Sequence, residues 1–171
     1  HGSVAMGTHV KSLGDGSFSI GDYSTTIEET FSTANQFNAR FANGYNLYTD
    51  SEASIGVTLG ANGNSWSSIS DSTKKEKFRQ VDGEDVLNKI GSFNLTSWNY
   101  KGQDPVRFRH YGPMAQDFYA AFGHDGIGTI GNDTTIASAD FDGVNFIAIQ
   151  ALEKRTRELK DDNTKLLKRV S

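Results

Sequence analysis

The chain has 171 residues, 17 Lys+Arg against 21 Asp+Glu for a formal charge of −4, 36% hydrophobic residues, 18 Gly, two Pro and no Cys. That length is enough for one ordinary domain or two small ones with a buried core. No apolar run approaches the roughly 18 residues needed to span a bilayer, and no apolar stretch has the form of a signal peptide. Without cysteine there are no disulfides, thiol nucleophiles or zinc–thiolate sites, and the mild acidity argues against a nucleic-acid partner.

In chain order, residues 1–66 are rich in Gly, Ser, Thr, Asn and aromatics and poor in Lys and Arg. Ser3-Val4-Ala5-Met6-Gly7 recurs 14 residues later as Ser17-Phe18-Ser19-Ile20-Gly21, and a degraded third copy is expected at Phe31-Ser32-Thr33-Ala34-Asn35. Each unit is a short alternating strand closed by Gly, the pattern of a β-solenoid coil. These repeats resemble the head repeats of trimeric autotransporter adhesins of the YadA type. Three further alternating segments, Phe37–Phe41, Tyr45–Thr49 and Ile55–Leu59, read as strands of a small β unit. So slender an element buries little by itself, which points to association of chains in a fibre.

From Asp71 onward the signals are mixed. Asp82 is placed to cap a helix over Gly83–Ile90 that ends at Gly91. Phe93–Tyr100 reads as a strand, and Val106, Phe108 and His110 alternate with Arg107 and Arg109 as another. Pro113 is expected at the first position of a helix over Met114–Phe122, with Met114, Phe118, Ala121 and Phe122 on one face and Gly123 closing it. Residues 123–143 read as a loop.

The end of the chain carries the clearest periodicity. Ile149, Leu152, Thr156, Leu159, Asn163, Leu166 and Val170 fall at alternating steps of three and four, an a/d heptad seam. Thr156 and Asn163 occupy a-type positions, where polar residues fix register at a cost in stability. The competing reading is an amphipathic helix packed on its own domain. The last 19 residues, Glu153–Ser171, hold seven basic and four acidic groups, leaving a net −7 on the preceding body.

One segment carries chemistry: Trp66-Ser67-Ser68-Ile69-Ser70-Asp71-Ser72-Thr73-Lys74-Lys75-Glu76. Thr73 and Glu76 alone fit a capping box that starts a helix. In order along the chain follow Gly112-Pro113-Met114-Ala115-Gln116-Asp117, then Gly143-Val144-Asn145, then Ala148-Ile149-Gln150-Ala151-Leu152 and the heptads. This succession, over residues 66–171, resembles the intramolecular chaperone auto-processing domain of phage tail spikes and fibres and of bacterial trimeric surface fibres, the endosialidase-type chaperones or peptidase family S74.

The resemblance implies a homotrimer that guides folding of the β-rich fibre preceding it in the same chain and then releases itself by cutting that chain. It places the scissile bond at Ile69–Ser70, with Ser70 as nucleophile, Lys75 as general base and Asp71 in support. No cofactor or metal is implied. The setting implied is a virion tail fibre or a bacterial cell surface.

Spacing does not establish the dyad. On an α-helix five residues turn through about 500°, so Ser70 and Lys75 would face differently, and Lys74 would be the helical neighbour of Ser70. The dyad requires Ser70 to lie outside the helix, on a bend from which Lys75 reaches back.

His110, His124, Asp125 and Asp133 lack metal-site spacing. Gly126, Gly128 and Gly131 mimic a dinucleotide loop without its strand–helix context. Arg107 and Arg109 suit an acidic neighbour or the fibre, and Asn94 and Asn132 head glycosylation sequons.

The expected fold class is therefore α+β and trimeric. A β-rich, β-solenoid-like fibre end spans 1–69, and a mixed α/β chaperone domain spans 70–171 with a coiled-coil helix over about 144–171. Two alternatives stand beside self-cleavage: a non-cleaving trimerisation tip, and a tip that binds a host-surface glycan through Tyr45, Tyr48 and Trp66.

Overall fold

The computed structural model describes residues 2–170, so His1 and Ser171, the ends of the two expected domains, lie outside the described residues. The chain divides into two units, His1–Lys77 and Phe78–Ser171. Among the described residues the architecture is mixed α/β, with three α-helices and no closed barrel.

The first unit begins with five short strands: β1 (Val4–Gly7), β2 (Val10–Ser12), β3 (Phe18–Gly21), β4 (Glu29–Phe31) and β5 (Phe37–Arg40). They stack as a parallel β1-β3-β5 sheet beside a parallel β2-β4 pair, so the chain winds as a β-roll. The register sets Val4 on Phe18 and Phe18 on Phe37, a spacing of 14 residues and then 19. The third copy is thus Phe37–Arg40. The expected one at Phe31–Asn35 is instead the end of β4 and the turn that follows. The longer second coil takes its extra residues in the 22–28 loop, which broke the period.

The roll's interior is polar. Ser17, Ser19 and Asn38 are buried, and their groups link in a chain: Ser17 Oγ lies 2.6 Å from Ser12 Oγ, Ser19 Oγ donates to Ser12 Oγ at 3.1 Å, and Asn38 Nδ2 donates to Ser19 Oγ at 3.3 Å. The apolar positions of the repeat point outward: Phe18 and Phe37 stack with centroids 5.7 Å apart while Val4 and Met6 are exposed. Gly7 closes the first coil at φ +89°, and a Cβ there would sit 1.9 Å from the Gly21 carbonyl oxygen. Arg40 ends the stack, donating to the Thr8 carbonyl at 3.1 Å and pairing with Glu29 at 3.4 Å.

An antiparallel sheet follows, β6 (Gly44–Tyr48), β7 (Gly56–Gly60) and β8 (Ser67–Ser68), with Tyr45 opposite Leu59 and Val57 opposite Ser68. Tyr45 donates its hydroxyl to the Ala39 carbonyl, tying this sheet to β5. The β6–β7 loop is gathered by Asp50, which accepts from the Ser54 and Ile55 amides and the Ser54 hydroxyl. These bonds hold its carboxyl below the usual range, the Ser54 hydroxyl most of all.

The second unit holds α1 (Gly83–Gly91), capped by Asp82 through the Glu84 amide at 2.9 Å as expected. A two-stranded antiparallel ribbon, β9 (Thr96–Trp98) and β10 (His110–Gly112), precedes α2 (Ala115–Phe122) and α3 (Ser138–Val170). Three expectations change. The strand over Phe93–Tyr100 shrinks to β9. Residues 104–108 form a turn, not a strand, because Asp104 captures the Val106 amide with its side chain at 2.9 Å and the Arg107 and Phe108 amides with its carbonyl. Pro113 stands one residue before the cap residue Met114, not at the first helical position.

The final helix starts at Ser138, six residues before the expected 144, absorbing the end of the expected loop. It packs on α1, and Gly83 approaches so closely that a Cβ there would lie 2.8 Å from Ala151 Cβ; Ala148 and Ala151 are the buried residues of the helix. Glu84 grips Arg155 in a bidentate pair across the same contact. Val86 and Phe118 complete the small buried core, beside a ring cluster of Phe93, Phe118, Phe122 and Phe141.

Candidate active site

The segment after β8 is fastened at two points. The Ile69 amide donates to the Gly56 carbonyl at 3.1 Å, continuing the sheet's last pairing by one residue. Immediately beyond, Ser72–Lys74 form a single 3₁₀ turn whose cap is Asp71. The Asp71 carboxylate accepts from the Thr73 amide at 2.9 Å and the Thr73 hydroxyl at 2.8 Å. These two bonds, the amide first, hold its carboxyl below the usual range, with Lys74 adding to the effect. Thr73 is therefore the donor inside a cap, and the expected capping box from Thr73 to Glu76 does not form.

The turn resolves the geometry that spacing left open. Asp71 precedes the turn on extended backbone at φ −73°, ψ 126° and Lys75 follows it at φ −122°, ψ 148°, so Ser70 and Lys75 flank the turn on either side. Lys75 Nζ donates to Ser70 Oγ at 2.7 Å. The structure thus brings Ser70 and Lys75 together, with Asp71 shaping the bend. Ile69 is half-buried, whereas Ser70, Asp71 and Lys75 are exposed. Thr73 is the residue whose part was missed; the Asp-x-Thr spacing of a side-chain-capped turn is the signal that identifies it.

Elsewhere the expected residues separate into roles. The seam residues Ile149, Leu152, Thr156, Leu159, Asn163, Leu166 and Val170 all lie on α3, and every residue from Leu152 to Val170 is exposed. Tyr45 is half-buried with its hydroxyl engaged by Ala39, its ring 6.3 Å from that of Trp66, while Tyr48 and Trp66 are exposed. Among the described residues Arg109 has no acidic partner; it donates to Ser97 Oγ at 2.7 Å and Asn99 Oδ1 at 3.1 Å across the β9–β10 ribbon. Asn132 gathers the amides and hydroxyls of Thr134 and Thr135. No helix among the described residues is long and apolar enough to cross a membrane.

Residues 70–127 match the protein family Peptidase_S74, described as the chaperone of endosialidase. The matched stretch opens on Ser70 and supports an endosialidase-type chaperone domain in this chain. No curated protein matches the chain.

Proposed function

We propose that this chain is a fragment of a homotrimeric fibre of a phage tail or bacterial surface, with an intramolecular chaperone that assists folding of the β-rich segment before it and then frees itself at Ile69–Ser70. The observation that carries the reading is the 2.7 Å contact of Lys75 Nζ with Ser70 Oγ, at the residue where the family match begins. In this reaction the lysine amine takes the Ser70 hydroxyl proton and Oγ attacks the Ile69 carbonyl carbon. The C–N bond then breaks as the proton passes to the departing Ser70 nitrogen, leaving an ester that water hydrolyses to the Ile69 carboxylate and the free Ser70 hydroxyl. The groups share one chain, so tethering replaces substrate affinity and each chain reacts once.

Assembly has a chemical part in this scheme. A lysine serves as base when burial disfavours its charged form, and Lys75 is exposed in the single chain. Burial supplied by neighbouring copies would switch the dyad on once the trimer has formed. The bare stretch of α3 from Leu152 to Val170 supports such association, because helices in proteins draw most of their stability from packing an apolar face and no residue of this stretch is buried within the chain. Strand number rests on the family, since the heptads alone do not decide it.

Intact mass after expression tests the proposal. Native chain should split between Ile69 and Ser70, while Ser70→Ala and Lys75→Ala stay whole and still assemble. A native chain that stays whole, indistinguishable from Ser70→Ala, refutes self-cleavage and leaves the permanent trimerisation tip.

A further inference from the structure

We infer that Asp71 and Thr73 act together as the positioning pair that holds Lys75 on Ser70, an inference that deepens the self-cleavage reading and rests on it for its catalytic consequence. The bend between Ser70 and Lys75 is a single turn of three residues, none of them buried. Its two backbone bonds, Lys74 to Asp71 at 3.1 Å and Lys75 to Ser72 at 3.2 Å, are those of any short 3₁₀ turn, and such turns have poor hydrogen-bond geometry and little stability of their own. No apolar packing secures it. What fastens it is the Asp71 carboxylate, accepting both the amide and the hydroxyl of Thr73.

The consequence follows from geometry. If the turn opens, residues 70–75 become an extended stretch and the lysine no longer points back at the serine. Lengthening it into a regular helix is no better, since that favours Lys74 as the neighbour of Ser70. A tethered reaction is only as fast as the fraction of time its groups are aligned. Asp71 therefore acts through the turn, not on the scissile carbonyl. Thr73 contributes through two donors where most residues would offer one.

Two neutral substitutions separate this role from a charge effect. Asp71→Asn keeps an acceptor for Thr73, while Asp71→Ala removes it, and both remove the negative charge. Self-cleavage, followed by intact mass, should be within about twofold of native in Asp71→Asn and slower by about fivefold or more in Asp71→Ala, the size of a lost cap. Thr73→Val, which keeps the amide and loses the hydroxyl, should fall between them. Equal rates in Asp71→Asn and Asp71→Ala would overturn the proposal.

A second measurement does not depend on cleavage. The chain contains no cysteine, so Ser70→Cys introduces one thiol whose ionisation reports a nearby ammonium. With Ser70→Cys as background, the pH dependence of alkylation should show an easier-ionising thiol with Asp71→Asn than with Asp71→Ala. Asp71→Ala should approach the behaviour of a Lys75→Met control. Identical thiol ionisation in the Asn and Ala variants overturns the turn's role. A native chain that never cleaves refutes the protease reading alone, and the thiol titration then decides this inference.

Discussion

Leu159→Asp probes the proposed assembly where the structure is most explicit. Leu159 lies mid-way along the bare part of α3 and is 64% exposed in the single chain. In a trimer built on the seam, three copies would meet in one layer with Leu152 and Leu166 layers on either side. Covering a leucine that is about two-thirds exposed is worth roughly 1.5 kcal/mol per chain, so the layer contributes roughly 4.5 kcal/mol per trimer. At 1.4 kcal/mol per decade, losing it lowers the association constant by about three orders of magnitude, and clustering three carboxylates adds to the loss. Sedimentation velocity over a hundredfold range of concentration should show native chain assembled throughout and Leu159→Asp dissociating within the range. Lys168→Glu, on the opposite side of the helix, should assemble as the native chain does. Equal assembly of Leu159→Asp and native protein would refute the seam and return α3 to a helix that serves only its own domain.

Val86→Ala should lower the melting temperature of the second unit by about 8 °C or more at fixed protein concentration. It deletes two buried carbons, worth about 2 kcal/mol with the cavity term, from one of the most buried side chains in the protein; a shift under about 3 °C in circular dichroism at 222 nm contradicts that burial. Gly7→Ala should destabilise the β-roll by about 2 kcal/mol or more, since it adds left-handed strain to a clash with the Gly21 carbonyl. Urea titration followed by fluorescence should show the loss, and an unchanged midpoint would mean the coils do not stack as described. Asp50 ties the β6–β7 loop as a carboxylate whose folded-state pKa is depressed, so its contribution is present above the ordinary aspartate value of about 3.9 and is lost as pH falls through the lower folded value. The Ser54 and Ile55 amide NMR shifts should titrate together below about pH 4, and Asp50→Asn should abolish that transition.

The fold was legible where local chemistry and global placement agree. Asp82 and Gly91 bracket α1 because cap and stop signals act within one turn of the chain. The coil repeat was legible at Ser3–Gly7 and Ser17–Gly21, but the inserted loop at 22–28 put the third copy out of phase. The roll's interior was hidden because its buried side chains are Ser17, Ser19 and Asn38, which single-sequence patterning assigns to solvent. The alternation of Val106, Phe108 and His110 had a strand's period, yet Asp104 captures that backbone in a turn before it can pair. In α3 the intramolecular face accounts for only part of the pattern: Ala148 and Ala151 are buried while Ile149 and Leu152, on adjacent helix positions, are exposed, which leaves the seam to the proposed assembly.

The site shows why residue spacing falls short of a mechanism. Ser70 and Lys75 were placed by the resemblance, while helical geometry favoured Lys74. The segment holds two possible starts for the following turn: Thr73, with Glu76 three residues on, which the sequence pattern suggested, and Asp71, with Thr73 two residues on, which the structure shows. They compete for the same backbone amides and lead to different chemistry. A helix begun at Thr73 would carry Lys75 into its first turn, committed to the helical direction. The cap at Asp71 instead closes after three residues and returns the chain to extended backbone at Lys75, where the amine meets Ser70 Oγ at 2.7 Å. An aspartate capturing its neighbour's amide and hydroxyl outcompetes a distant glutamate, because it loses fewer side-chain torsions to make its bonds. The choice between the two lysines is thus made by Asp71, and Asp71→Ala is the substitution that should undo it.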